Sequence, residues 1–312
     1  MAHEIETMAF AHAVPWHGLG VNVPETITPA EMLVAAGLDW QVERIPVTCF
    51  DSPDHIPGKL AIRRATDKTV YGIVSDRWKP VQNIEILSFF KNWTEAGEAT
   101  IETAGSLRNG RQVWALANLK TGFVLPGGDA VRGYVLMVGS HEAGRATLIQ
   151  TTTVRVVCAN TLRLALQGKA QAELRWSHIS DFNPEVAQQT LGLQRESISE
   201  FERNARLLQS LNLSREDAVR ILAPVYQPQE EADDIVKSEA LWTPTMRCIL
   251  WANEKAPGAV PGTAWGLLNA GTYFADHMSG TANLDNRFFA AQMGAQATRK
   301  DHLYKSLLEL AQ

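Results

Sequence analysis

Cys158, Asn160 and Thr161 stand between Arg155 and Arg163, and no other short stretch of the chain gathers as many chemistry-bearing side chains. Two chemistries fit these residue types. A cysteine at a helix start has its thiol pKa lowered and can act as a nucleophile. Arginines at strand and helix ends can fork onto phosphate oxygens instead. The run Val156-Val157-Cys158-Ala159 favours a packed, inert thiol. Asn160 and Thr161 are the residue types that cap helices, so Asn160 would orient a helix start or touch a bound backbone.

A wider set of cations carries the second chemistry. Arg63, Arg64, Arg77, Lys79, Arg108 and Arg111 fall in or beside turns and strand ends, with Trp78 between two of them. Single-stranded nucleic acid is held in this way, by cations that track phosphates and aromatic faces that stack on bases. Together with Arg155, Asn160 and Arg163 they form the candidate nucleic-acid-binding set. Trp114, inside a strand, reads as core.

Tests for other chemistry are negative. The sequence has no GxxxxGK[ST], no GxGxxG after a strand, no HExxH, no GxSxG and no CxxC. Asp276-His277 reads as a helix end, where the dipole favours a histidine, rather than as a metal site. The loop Pro15-Trp16-His17-Gly18-Leu19-Gly20 reads as packing of an N-terminal arm. Neither a cofactor nor a metal is expected, and no catalytic motif identifies an enzyme.

The charge pattern agrees with a polyanion partner. Net charge over 312 residues is −5, but it is unevenly spread. Residues 1–58 carry one basic residue against eight acids, residues 59–175 sixteen against nine, and residues 176–312 twelve against seventeen. A positive middle between negative flanks is the asymmetry that marks a polyanion-binding region. Hydrophobic content of 45% is that of a globular chain. No apolar run reaches the ~20 residues of a membrane span. Three widely spaced cysteines and an acidic N-terminus lead to the expectation of reduced thiols and a cytoplasmic setting, without a membrane.

The elements that must position these residues follow from periodicity and punctuation. Thr28-Pro29-Ala30-Glu31 predicts a capped helix start. Lys59–Arg64 and Thr69–Val74 predict a hairpin, with residues 51–58 a loop before it. A helix is expected from Asn83 to Ala96. Asn109-Gly110 predicts a turn that pairs Ile101–Leu107 with Gln112–Lys120. Strands are expected at Val131–Gly139 and Ala146–Thr152, then a helix from near Asn160 to Gln167. Beyond Phe182 the apolar spacing is helical to the end, with a last helix at Thr298–Leu310. The fold class is therefore α+β: an antiparallel sheet with a β-β-β-α core over residues 1–182, followed by an all-α region over residues 183–312.

Several segments resemble an uncharacterised family of phage- and plasmid-encoded proteins known by a domain of unknown function. They are Pro15–Gly20, Ala35–Trp40, Trp78-Lys79-Pro80-Val81-Gln82-Asn83, Arg155–Leu162 and Gly262–Ala270. The resemblance implies a mobile-element origin and supplies no reaction. The expected β-β-β-α order with a basic surface is also similar, at the level of fold, to Rad52-type single-strand annealing proteins. That likeness implies binding and annealing of single-stranded DNA by a homo-oligomeric ring or filament, with no nucleotide or metal. The alternative is a module that binds an acidic host protein.

Overall fold

In a computed structural model, residues 5–12, 20–155, 160–163, 173–191, 194–227, 232–255, 260–279 and 294–311 are described. The chain forms two compact units. One comprises Met1–Lys120, Tyr134–Thr151 and Gln171–Leu193; the other comprises Thr121–Gly133, Thr152–Ala170 and Gln194–Gln312. Strand ends thus segregate with the C-terminal helices, and one helix beyond residue 182 segregates with the sheets.

The first unit holds two sheets. In the larger, β1 (Ile5–Phe10) lies between a short parallel partner, β2 (Val21–Asn22), and antiparallel β6 (Thr100–Leu107). Next come β7 (Gln112–Leu125), β8 (Asp129–Ser140) and β9 (Thr147–Arg155), with β11 (Glu173–Trp176) antiparallel to β9. The smaller sheet is an antiparallel meander of β3 (Val42–Thr48), β4 (His55–Arg64) and β5 (Val70–Ser75). The expected hairpin is there, but β4 reaches back to His55 into the expected loop.

The register of β6 on β7 runs from Thr100 opposite Asn118 to Leu107 opposite Gln112, as the Asn109-Gly110 turn predicts. Arg108, Asn109 and Gly110 all take positive φ, of 55°, 57° and 77°. Helix α1 (Pro29–Ala35) starts on the expected capping box: Thr28 Oγ1 accepts from the Glu31 N–H, and the Glu31 carboxylate accepts from the Thr28 N–H. The helix expected over residues 83–96 is two short ones, α2 (Asn83–Ser88) and α3 (Lys91–Glu95), separated by buried Phe89 and Phe90. Helix α2 packs so closely on β8 that a Cβ at Gly139 would fall 2.2 Å from Ile86 Cδ1. Helix α4 (Pro184–Leu191) completes the unit, with the Gln188 side chain donating to the Phe89 carbonyl.

In the second unit, the helix expected from Asn160 is absent where the residues are described. Asn160–Arg163 is β10, antiparallel to β9, with Asn160 opposite Arg155 and Arg163 opposite Thr152. Asparagine favours a helix cap and is sparse in strands, so its local preference points to a helix start, and pairing with β9 overrides it. Residues 164–167 lie outside the described residues. The helices are α5 (Gln194–Ser210), α6 (Arg215–Tyr226), α7 (Ala232–Lys237), α8 (Pro244–Lys255), α9 (Ala264–Tyr273) and α10 (Ala295–Ala311). The α+β class with a helical C-terminal region is therefore as the sequence predicts. Phe201 on α5 is the hub of the core, 6.0 Å from the Trp265 ring and 5.7 Å from Tyr304. Trp265 Nε1 donates to buried Asp129 Oδ2 at 2.8 Å. No helix among the described residues is long and apolar enough to cross a membrane.

A π turn, Phe274–Met278, follows α9 and carries Asp276, which holds Lys300 Nζ at 2.6 Å. Both side chains are buried, so neither charge can be left alone. Lys300→Met is expected to destabilise the protein by roughly 3–5 kcal/mol. The double variant Lys300→Met/Asp276→Leu should recover most of that loss in urea denaturation. A double variant no more stable than the single would show that the cost lies elsewhere.

Candidate anion-binding site

Three layers of the first unit build the site, the innermost being Arg64, the last residue of β4. Its guanidinium is buried and forks onto Glu6 of β1, with Nη1–Oε1 and Nη2–Oε2 both 2.7 Å. Nε donates to the Tyr71 hydroxyl at 2.8 Å, and the group lies 4.3 Å over the Trp40 ring. The Glu6 hydrogen bonds raise the arginine pKa, against the opposing effect of burial. Gly110 presses directly on this group: a Cβ there would fall 2.0 Å from Arg64 Nη2. Its φ of +77° also suits glycine alone. Arg64 is thus a brace between the sheets, with its fork already filled.

The second layer is an asparagine–histidine pair. Asn83 Nδ2 donates to the Leu38 and Trp40 carbonyls at 3.0 and 3.2 Å, which leaves its Oδ1 as an acceptor. The His141 nitrogen 3.0 Å away, Nε2, must therefore carry the proton. The ring stacks on Tyr71 at 6.0 Å and meets Trp40 edge-on at 5.5 Å. Its Nδ1 is buried without a partner. Burial, with smaller contributions from His178 and Arg64, pushes the His141 pKa down to about 3. The ring is therefore neutral, and its backbone N–H donates to the Arg111 carbonyl at 2.8 Å.

The outer layer is what these two hold in place. Glu142, next in sequence to His141, faces three guanidinium groups: Arg145 Nε at 3.2 Å, Arg108 Nη1 at 3.4 Å and Arg111 Nη1 at 3.8 Å. Arg111 also donates to the Tyr71 carbonyl at 2.8 Å and lies 5.7 Å from the Tyr71 ring centre. The arginine side chains are 35–42% exposed, against 17% for Glu142. Three cations thus converge on one largely covered carboxylate at a solvent-facing corner. Such a cluster can bind an anion with planar oxygens, a phosphate above all.

The remaining expected residues are dispersed. Arg63 holds Glu43 at 2.5 Å, a carboxylate it shares with Lys68 at 3.3 Å. Arg77 is exposed, and Lys79 pairs with Asp181 at 2.6 Å. Trp78 is no base platform: it is buried, with the His178 ring stacked on it at 4.5 Å. Arg155, Asn160 and Arg163 belong to the other unit and are placed by the β9–β10 pairing alone. Cys158 and the Trp16-His17 loop lie outside the described residues. Asp276 is engaged by Lys300, and among the described residues no group of three or more His, Cys, Asp and Glu could hold a metal.

Of the nine expected residues, the structure brings Arg108 and Arg111 together and sets Arg64 beneath them. Sequence reasoning missed Arg145, His141, Asn83, Tyr71 and Trp40. Arg145 had a signal, because it follows Gly144 in the same kind of turn that singled out Arg108 and Arg111. The others are Tyr71 on a strand, Asn83 at a helix start, and Trp40 and His141 just outside strands, and only packing reveals them.

Fold and site together define a two-unit α+β protein with antiparallel sheets and an arginine corner on the sheet unit. The chain belongs to the family described as Domain of unknown function (DUF932), whose model matches residues 70–308. That span includes Tyr71, Arg108, Arg111, Glu142 and Arg145 and begins after Glu6, Trp40 and Arg64. No curated protein and no solved structure matches the chain.

The His141 pKa is lowered on folding, so between about 6.5 and 3 the unfolded chain binds the extra proton and the folded one does not. Stability is full above that window and is lost as pH falls through it. Lowering the pH from 7 to 4.5 should remove roughly 2–3 kcal/mol through this residue alone. His178, whose pKa burial also lowers, acts in the same direction. His141→Gln keeps a donor for Asn83 Oδ1 and should flatten the pH dependence of the urea midpoint. An equally steep loss in that variant would clear His141 of the effect.

Proposed function

We propose that the protein binds single-stranded DNA through the arginine corner and that it anneals strands, several copies acting along one strand. The observation that carries the reading is the convergence of Arg108, Arg111 and Arg145 on Glu142 at a solvent-facing corner. The cluster itself gathers three guanidinium groups on one carboxylate. A phosphate arriving there exchanges its counterions for guanidinium groups whose backbone turns are already fixed, so little ordering is required of the protein.

The support is electrostatic and local. The likeness in fold order to Rad52-type proteins no longer contributes, because the segment that was to supply the helix is strand β10 over Asn160–Arg163. A phage or plasmid origin, which the family resemblance implies, would suit a strand-annealing activity. The mechanism needs neither nucleotide nor metal: cations hold the phosphates, the bases stay outward, and a second strand pairs with them.

Fluorescence anisotropy of a labelled single-stranded oligonucleotide, measured across a salt series, tests the reading. The logarithm of the affinity should fall against the logarithm of salt with a slope of about −0.7 per phosphate contacted. Arg108→Asn/Arg145→Gln should weaken binding about tenfold at low salt and reduce the slope by about 1.4, at an unchanged urea midpoint. Affinity that is indifferent to salt, or unchanged in the double variant, would remove the corner as the binding site. Loss of complementary-strand annealing in the same variant is the companion outcome.

A further inference from the structure

The helical unit contains a concavity of about 350 Å³ whose walls are tryptophan, arginine and glutamate. Its fixed wall is Trp242, which is buried and donates its indole N–H to the Ile235 carbonyl at 2.9 Å. Arg215, at the start of α6, lies over that ring at 4.8 Å and pairs with Glu239 at 3.2 Å. The opposite wall is one face of α8, where Arg247, Trp251 and Glu254 follow at spacings of four and three residues. Arg247 donates to the Glu239 carbonyl at 2.9 Å, which ties α8 to the turn carrying Trp242.

Trp251 is the unusual member. Its residue surface is 56% exposed, and it is the aromatic member of the α8 face that lines the pocket. The plate borders a pocket whose two cations are already oriented by Glu239 and Trp242. Aromatic plate, guanidinium and carboxylate together match one ligand chemistry. A nucleobase stacks on the indole, a phosphate meets an arginine, and a carboxylate accepts hydrogen from the base edge. The volume lies at the small end of the ligand range of roughly 300–1,000 Å³.

We propose that this pocket binds one nucleoside monophosphate unit, free or within a strand: the base on Trp251, the phosphate toward Arg215 and Arg247, and the base edge toward Glu254. A carboxylate only accepts hydrogen bonds. Bases with an exocyclic amine offer it two or more N–H donors and are preferred, whereas thymine, with its single N3–H, binds weakest. The inference goes beyond the strand-binding reading, since it uses none of the residues of the arginine corner.

Saturation-transfer NMR on the intact protein with dAMP, dCMP, dGMP and dTMP tests it. Saturation should reach the base protons more strongly than the deoxyribose protons, and should be weakest for dTMP. It should vanish in Trp251→Ala, return in Trp251→Phe, and persist in Arg108→Asn/Arg145→Gln. No transfer to base protons in the wild-type protein, or equal transfer in Trp251→Ala, overturns the proposal. So does a signal that depends on the corner variants. A labelled cytosine oligonucleotide then separates the sources. Weakening of roughly five- to 100-fold in Trp251→Ala assigns the pocket to a strand. Unchanged oligonucleotide affinity, with the mononucleotide signal lost, assigns it to free nucleotide.

Discussion

The forked ion pair between Arg64 and Glu6 is the constraint on which the sheet unit depends. It joins the end of β4, in the smaller sheet, to β1 of the larger one. A guanidinium leaves water only at a large desolvation cost, and attraction to one carboxylate offsets that cost only when the other donors are also satisfied. Here the Tyr71 hydroxyl takes Nε, and the Trp40 face lies over the cation. Glu6 in turn accepts from Ser106 Oγ at 3.1 Å on β6, so three strands meet at one charge pair. The arrangement tolerates no bulk at the next turn, which is why Gly110 stands there.

The corner inherits its geometry from that pair. Tyr71 is fixed through its hydroxyl by Arg64, and its carbonyl takes an Arg111 N–H. From the other side, Asn83 orients His141, and the His141 backbone holds the Arg111 carbonyl. Arg111 is therefore restrained at both its side chain and its backbone, before any ligand arrives. Glu142 follows His141 directly, so burial of a neutral imidazole places a carboxylate at the surface one residue on. A cation cluster around a buried charged histidine would repel itself; around a neutral one it costs only the mutual repulsion of the arginines, which Glu142 moderates.

Local chemistry made much of the fold legible in the sequence. The Thr28–Glu31 capping box, the Asn109-Gly110 turn and the hairpin ending at Arg64 are short-range signals, and each formed where the residues predict. The helix expected from Asn160 did not form over Asn160–Arg163, because pairing with β9, which no local signal announces, makes that segment a strand. The site was less legible for a geometric reason. Arg63 and Arg64 are neighbours on one strand, and successive side chains on a strand point to opposite faces. One faces Glu43, half-covered, and the other is sealed against Glu6. Composition counts both as surface cations, and nothing local says which face will be closed.

The same reasoning changes what the positive middle of the chain means. Its excess of Lys and Arg is not a uniform coat, because several of the cations are already held by acids: Arg64 by Glu6 and Asp67, Lys79 by Asp181, Lys91 by Glu95, Arg175 by Glu173. Pairs of that kind project little field beyond a Debye length of roughly 8–10 Å. A positive field is favoured where several cations gather on one carboxylate, as Arg108, Arg111 and Arg145 gather on Glu142, and as Arg63 and Lys68 gather on Glu43. The quantity that marks an anion site is therefore the local ratio of cations to carboxylates after folding, not the count along the sequence. By that measure the negative net charge of the chain and a polyanion-binding corner are compatible. The acids that make the total negative, largely in the first 58 and the last 137 residues, need only lie away from Glu142. At that corner the Arg64 brace and the His141 layer hold Arg111 in place, through the Tyr71 carbonyl and the His141 backbone N–H.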